Sequence, residues 1–147
     1  MSFEFFADRN FGCRQFPDAL RRAGITIHRH RDHFAVDAAD EVWLPEVARR
    51  GWVSLTLDKA ILRNELERDA VFVSGARLIL LSGANAPVPN LARNFINTYE
   101  RVNAFLQREP APFIARVKRP NPLSDVELGK PETIEMPLSL QAWRDRR

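Results

Sequence analysis

Residues 51–58 read Gly-Trp-Val-Ser-Leu-Thr-Leu-Asp, and this stretch decides how the chain folds. Gly51 stops a preceding segment of helical periodicity. The run from Trp52 to Leu57 is mostly apolar, with only the small polar residues Ser54 and Thr56 within it, and it ends at Asp58. Strands that are apolar along their whole length are typical of parallel sheets that helices cover on both faces. We therefore predict a buried central strand over residues 52–57.

Short apolar runs and helical segments alternate in both directions from this strand. Further strands are predicted at residues 3–7, 25–28, 77–81 and 113–117. Helices are predicted at residues 15–23, 40–50, 60–73 and 90–107, and a polar loop at residues 30–37. This order indicates an α/β fold with a mostly parallel sheet, in which Trp43 and Trp52 belong to the core.

Length and composition set the class of protein. A chain of 147 residues, 45% hydrophobic and 28% charged, is expected to form one globular domain. The lone Cys13 excludes an internal disulfide, and no apolar run approaches the roughly 20 residues of a membrane span. We therefore expect a soluble, cytoplasmic protein. The net charge of +3 permits nucleic-acid binding without arguing for it.

The end of the chain differs from the rest. Residues 1–119 contain the predicted strands and helices, whereas residues 120–147 combine mixed charges with prolines at positions 120, 122, 131 and 137. We interpret residues 120–147 as an extended, Pro-rich arm that either wraps around the domain or contacts a partner. Within it, the segment from Met136 to Trp143 is a candidate for docking, because an exposed tryptophan is unfavourable.

Three aspartates are placed to meet at one edge of the sheet. Asp8 follows the first strand, Asp58 follows the third, and Asp40 opens the helix before the third strand. Ligands of open parallel sheets bind at the carboxyl ends of the strands. Carboxylates gathered there repel one another unless a hard cation such as Mg²⁺ or Mn²⁺ lies between them. The alternative is that each aspartate caps a helix, which is the commoner role for Asp40 in particular.

Three motifs give the sequence a family resemblance. They are Phe-Phe-Ala-Asp8-Arg-Asn10, Asp40-Glu-Val-Trp-Leu-Pro-Glu-Val, and Gly51-Trp-Val-Ser-Leu-Thr56-Leu-Asp58-Lys-Ala-Ile-Leu-Arg63. In this order the chain resembles the PIN-like nucleases, and in particular the branch of VapC-type toxins of toxin–antitoxin pairs, over residues 3 to about 119. The resemblance implies a three-layer α/β/α sandwich and a Mg²⁺- or Mn²⁺-dependent endoribonuclease. It also implies that Asp8, Asp40 and Asp58 bind the metal beside the hydroxyl of Thr56.

The resemblance also implies partners. An RNA substrate and a protein antitoxin that covers the acidic site are expected, and a homodimer is common among such nucleases. The chain departs from the family pattern at the fourth acid, because no carboxylate follows the strand at residues 77–81. Glu65, Glu67 and Asp69 could replace it if one face of their helix points back to the site. Glu41, next to Asp40, leaves the identity of the second ligand ambiguous, and we favour Asp40.

Several polar residues near the acids are candidates for substrate binding. Lys59 and Arg63 are four residues apart, so on an α-helix they would share a face from which to grip RNA phosphates. Their alternative role is a solvated face that pairs with Glu67. Arg9 and Asn10 follow Asp8 directly and either touch the substrate or shape the turn.

The histidines and the overall fold leave other interpretations open. His28, His30 and His33 have spacings that zinc ligands can have, but a polar strand or loop is the favoured reading because the chain offers a single thiol. A receiver-like phosphoacceptor domain would also place aspartates after the first and third strands, with Asp58 as the acceptor. A catalytically degenerate PIN-like binding module is the more serious rival, since the fourth acid is missing.

Overall fold

A computed structural model describes residues 3–11, 14–81, 87–118 and 130–133 of the chain. Within these residues six strands form one sheet, and their bounds are β1 Phe5–Ala7, β2 Ile27–Arg29, β3 Val53–Thr56, β4 Arg77–Leu81, β5 Phe113–Lys118 and β6 Lys130–Thr133. The helices are α1 Gln15–Arg22, α2 His30–His33, α3 Asp40–Arg49, α4 Glu65–Ser74 and α5 Val88–Arg108. Short 3-10 helices cover Arg9–Phe11 and Lys59–Leu62.

The strand order is β2-β1-β3-β4-β5-β6, and every neighbouring pair is parallel except β5 and β6. The predicted α/β sandwich with a mostly parallel sheet is therefore confirmed. Because β1 lies between β2 and β3, the carboxyl ends of these three strands meet at one edge of the sheet. This edge is the place where an open parallel sheet holds its ligand.

Helices cover both faces of the sheet, and adjacent side chains of β1 belong to different layers. Phe5 packs with Phe16 of α1 and Phe95 of α5, whereas Phe6 packs with Trp43 of α3 and Val71 of α4. Both phenylalanines are fully buried. Because successive side chains of a strand point to opposite faces of the sheet, Phe5 and Phe6 place one ring in each of the two hydrophobic cores. The predicted core positions of Trp43 and Trp52 are confirmed, as both are buried.

The predicted helix over residues 60–73 is wrong in its first turn. Asp58 Oδ1 accepts a hydrogen bond from the Ala60 backbone N–H at 2.9 Å, which starts a 3-10 turn instead. Asn64 then caps α4, because its Oδ1 accepts from the N–H groups of Leu66 and Glu67. Gly75 ends α4 with a left-handed φ of 70°, a conformation that favours glycine.

Two other local predictions need correction. The polar segment from His30 to His33 is a single helical turn and not part of a loop, because it follows β2 directly and buries His30. The segment at residues 120–147 is predicted as an extended arm without a strand, but four of its residues form a sixth strand, β6. It pairs antiparallel with β5, with Ala115 opposite Thr133. The segment from Met136 to Trp143, proposed to dock, lies outside the described residues.

Candidate active site

Asp8 and Thr56 are joined at the carboxyl ends of the two central strands. Asp8 follows β1 directly, and its backbone N–H donates to the Leu55 carbonyl of β3 at 3.0 Å. Because Ala7 pairs with Leu55, the residues that follow them, Asp8 and Thr56, lie side by side. The Thr56 hydroxyl, buried at 3% exposure, donates to Oδ2 of Asp8 at 3.1 Å. This hydrogen bond fixes the orientation of the Asp8 carboxylate.

The same hydroxyl also holds the backbone of Asp58. The Asp58 N–H donates to Thr56 Oγ1 at 3.1 Å, while Asp58 Oδ1 accepts from the Ala60 N–H. The capping role considered for Asp58 is therefore real, and it occupies one carboxylate oxygen. Thr56 thus connects the backbone position of one acid with the carboxylate of the other.

A small cleft of about 70 Å³ opens between these residues and α4. Three carboxylates line it, from Asp8, Asp58 and Glu67. Glu67 lies in the first turn of α4, whose start is set by the Asn64 cap. Of the three acids on that helix that the sequence offered as a replacement, Glu67 is the one that lines the cleft. The remaining wall is largely apolar, formed by Trp43, Leu44, Ile61, Val71 and Leu78.

Asp40 is the first residue of α3, and Ala39 occupies the N-cap position. The capping role considered for Asp40 therefore does not match its backbone position. The side chains of Asp40 and Asn10 lie outside the described part of the chain. Glu41, the alternative second ligand, is exposed on α3.

The prediction that Lys59 and Arg63 share a helical face is wrong in its premise. Lys59 begins the 3-10 turn and Arg63 lies just beyond its end, so the two residues are not on one α-helix. A 3-10 helix has about 3.0 residues per turn, which places side chains four apart on different faces. Both residues are exposed, and neither is among the described residues that line the acidic cleft.

Arg9 shapes the rim of the site. Its Nη1 atom donates to the carbonyl of Val36 at 3.0 Å and also contacts the carbonyl of Ala38 at 3.4 Å. These bonds tie the turn after β1 to the segment that leads into α3. Of the two roles considered for Arg9, the structure supports the shaping of the backbone.

The histidines surround Trp52 and Phe6 and do not gather around one point. His28 stacks on Trp52 with ring centroids 3.7 Å apart and contacts Glu4 Oε1 at 3.0 Å. His33 meets the same indole edge-on at 5.1 Å. His30 is buried, and its ring centroid lies 5.9 Å from that of Phe6. The three side chains therefore belong to aromatic packing.

The donor set of the acidic cleft suits a hard divalent cation. Among the described side chains, no three His, Cys, Asp or Glu groups converge closely enough to enclose an ion. Mg²⁺ is usually held by one or two carboxylates together with water and substrate phosphates. The cleft offers two such carboxylates. Thr56 holds the carboxylate of Asp8, and the carboxylate of Asp58 has one oxygen that the Ala60 N–H does not use.

Comparison with known proteins identifies the family. A family model described as "PIN like domain" matches residues 3–83, which contain Asp8, Thr56, Asp58 and Glu67. The chain belongs to the PIN-like domain family. This assignment leaves the receiver-like interpretation without support.

The PIN-like chain also falls in the predicted VapC-type branch. It is 34% identical over 116 residues to a Mycobacterium tuberculosis (strain ATCC 25618 / H37Rv) protein named "Putative ribonuclease VapC45". The alignment covers 76% of this chain and 83% of that protein. No solved structure matches the chain. Within the described residues, none of the helices of this PIN-like protein is long and apolar enough to cross a membrane.

Proposed function

We propose that this protein is a metal-dependent endoribonuclease and the toxin of a toxin–antitoxin pair. The observation that carries the proposal is the acidic cleft, where one buried hydroxyl joins Asp8 and Asp58 at the carboxyl ends of β1 and β3. The relationship to the protein named as a ribonuclease supports RNA as the substrate. We expect a cytoplasmic protein whose antitoxin covers the cleft, and the homodimer that is common among such nucleases is the assembly to test for.

Asp8, Asp40 and Asp58 are the residues that would hold Mg²⁺ or Mn²⁺. A cation bound by these acids supplies a Lewis acid that activates water and offsets the charge developing on the scissile phosphate. The chain itself contributes preorganisation, because the Thr56 hydroxyl keeps the Asp8 carboxylate in one orientation before substrate arrives.

The reaction that this arrangement supports is hydrolysis of an RNA phosphodiester. A bond forms between the water oxygen and phosphorus, and the bond from phosphorus to the 3′-oxygen breaks. The departing 3′-oxygen takes up a proton, so the products carry a 3′-hydroxyl and a 5′-phosphate.

A second candidate is a catalytically degenerate PIN-like module that only binds its partner. The sequence favours it at one point, since residues 77–86 contain no carboxylate. The presence of Glu67 on the acidic cleft weighs against it, because this residue supplies a carboxylate in place of the missing fourth acid. The first proposal is therefore the one that the described geometry supports better.

Cleavage of single-stranded RNA by the purified protein tests the proposal. Asp8→Asn and Asp58→Asn are expected to reduce cleavage in Mn²⁺ by about 100-fold or more, since each removes a charge from the site. EDTA is expected to abolish cleavage by the wild type. Asp18→Asn is the matched control, because Asp18 lies on α1 and pairs with Arg21 away from the cleft.

Two results would contradict the proposal. Cleavage at the wild-type rate in both variants would remove the acids from the chemistry. Absence of cleavage by the wild type, together with no heat of Mn²⁺ binding in titration calorimetry, would favour the degenerate binding module.

A further inference from the structure

A larger cleft adjoins the acidic cleft at the carboxyl ends of β1 and β2. Its volume is about 460 Å³, within the range of sites that bind small organic ligands. Asp8 and Arg9 line both clefts, so the two spaces are neighbours at the same sheet edge. None of the three motifs that carry the family resemblance includes β2, which forms the far wall of this larger cleft.

Arg29 is the unusual residue of the larger cleft. It is the last residue of β2 and pairs with Ala7, the residue that precedes Asp8. Its side chain is buried, with an exposed fraction of 9%. Among the described residues, the structure gives its guanidinium no hydrogen bond and no carboxylate within ion-pair distance. Charged groups buried to this extent are normally paired, because burial without a partner is costly. The guanidinium nitrogens of Arg29 are not among the fully buried polar atoms of the described residues, so the group faces the cleft and is available to an anion there.

The other residues of the cleft suit a nucleic-acid strand. Arg31 is exposed and adds a second positive charge next to Arg29, with Arg9 at the boundary with the acidic cleft. Phe34, which is half-buried, contributes an aromatic wall, and Phe11, which is buried and stacked on Phe16, contributes a second one. Basic grooves with aromatic side chains bind single strands by contacting phosphates and stacking bases.

We propose that Arg29 binds a phosphate of the RNA strand adjacent to the one that is cleaved. This inference rests on the proposed function, since it assigns a substrate contact to the same enzyme. Continuity with the acidic cleft places the two phosphates on one strand, and the planar fork of arginine matches phosphate oxygens. The alternative occupant is an acidic segment of a partner protein. Such a segment would use the charge of Arg29 and would leave the aromatic walls without a role, so the cleft fits RNA better.

Equilibrium binding of a fluorescently labelled single-stranded RNA tests this assignment. The measurement is made by anisotropy in EDTA, where binding is read without metal-dependent cleavage. Arg29→Gln is expected to raise Kd by about 10-fold or more, as loss of a charged hydrogen bond does. It should also reduce the slope of log K against log salt by about 0.7, the value for one phosphate contact on a single strand.

Two further variants separate charge, geometry and folding. Arg29→Lys keeps the charge but loses the fork, so its salt slope should equal that of the wild type while its Kd rises by a smaller factor. Arg22→Gln is the matched control, because Arg22 is an exposed arginine at the far end of α1 from the clefts. If thermal unfolding shows that Arg29→Gln does not fold, Arg29→Lys and Arg31→Gln together carry the test.

The outcomes distinguish this inference from the proposed function. Wild-type Kd and salt slope in the folded Arg29 variants, with cleavage still dependent on Asp8 and Asp58, would overturn the phosphate contact and leave the nuclease intact. An oligo-glutamate peptide is the second probe. Loss of its binding in Arg29→Gln, with RNA binding unchanged, would also overturn the inference and assign the cleft to an acidic protein segment.

Discussion

Replacement of Thr56 by valine removes one hydroxyl that serves two acids. The side chain is buried, donates to Asp8 Oδ2 at 3.1 Å and accepts from the Asp58 N–H at 3.1 Å. Valine nearly preserves the shape of threonine, so the substitution changes the hydrogen bonds more than the packing. Because Thr56 does not itself contact reacting atoms in our scheme, it is a positioning residue.

The structure allows the size of the effect to be worked out. A hydrogen bond to a charged group contributes about 1.5–3 kcal/mol, and the Asp58 N–H loses a further neutral one of about 1 kcal/mol. Asp8 is half-buried beside an open cleft, so water recovers part of this loss. We therefore expect Thr56→Val to lower the free energy of unfolding by about 2 kcal/mol and Tm by about 6 °C.

Catalysis should suffer as well as stability. Loss of the Thr56 donor weakens the orientation of the Asp8 carboxylate, and about 1.4–2 kcal/mol of lost preorganisation corresponds to a 10- to 30-fold lower kcat. Thermal unfolding and RNA cleavage in Mn²⁺ are the two assays, with Thr56→Ser as the control that keeps the hydroxyl. Equal losses in Thr56→Ser and Thr56→Val would refute the reasoning, because packing and not the hydroxyl would then be responsible.

Two further predictions concern Glu67 and His33. Glu67→Gln is expected to lower Mn²⁺-dependent cleavage by about 10-fold, since it removes a carboxylate from the acidic cleft. Glu65→Gln is the control and should cleave at the wild-type rate, because Glu65 is exposed on the same helical turn. The same cleavage rate in the two variants would exclude Glu67 from the site. Burial lowers the pKa of His33 below its usual value, and the neighbouring His28 and Arg50 lower it further. The folded protein therefore binds fewer protons at His33 than the unfolded chain, so this contribution to stability is complete above about pH 6.5 and is lost as the pH falls through the folded pKa. Tm should drop between pH 7 and pH 5, and less so in His33→Gln; an identical drop in that variant would assign the effect to other groups.

The arrangement of the fold could be predicted from the sequence because its strands are short, apolar and interrupted by clear stops. The strand that ends at Asp58, and the alternation of strands and helices on either side of it, predict a parallel sheet, and β3 does pair in parallel with both of its neighbours. The predicted helix that spans residues 60–73 failed locally, because the side chains of Asp58 and Asn64 each capture backbone N–H groups and restart the helix. Propensity and periodicity do not reveal such competition between side chain and backbone.

The candidate site could be predicted only in part, and the reason is geometric. Asp8 and Asp58 follow strands directly, so topology alone brings them to one edge. Glu67 depends on the phase of α4, which shifts when the helix starts at residue 65 and not at residue 60. Arg29 carries no motif at all. Its importance comes from the pairing of β2 with β1 and from the partners it lacks among the described residues.

The strand β6 has a consequence for how the chain can be shortened. By pairing antiparallel with Ala115–Lys118 of β5, it covers the outer side of most of that strand. A fragment that stopped at residue 119 would leave this six-residue strand as an unpaired edge, the feature through which sheets recruit strands from other molecules. We therefore expect the shortened chain to self-associate more readily than the full chain. Pro131 within β6 lies in a strand at the edge of the described sheet, and edge strands tolerate a missing N–H.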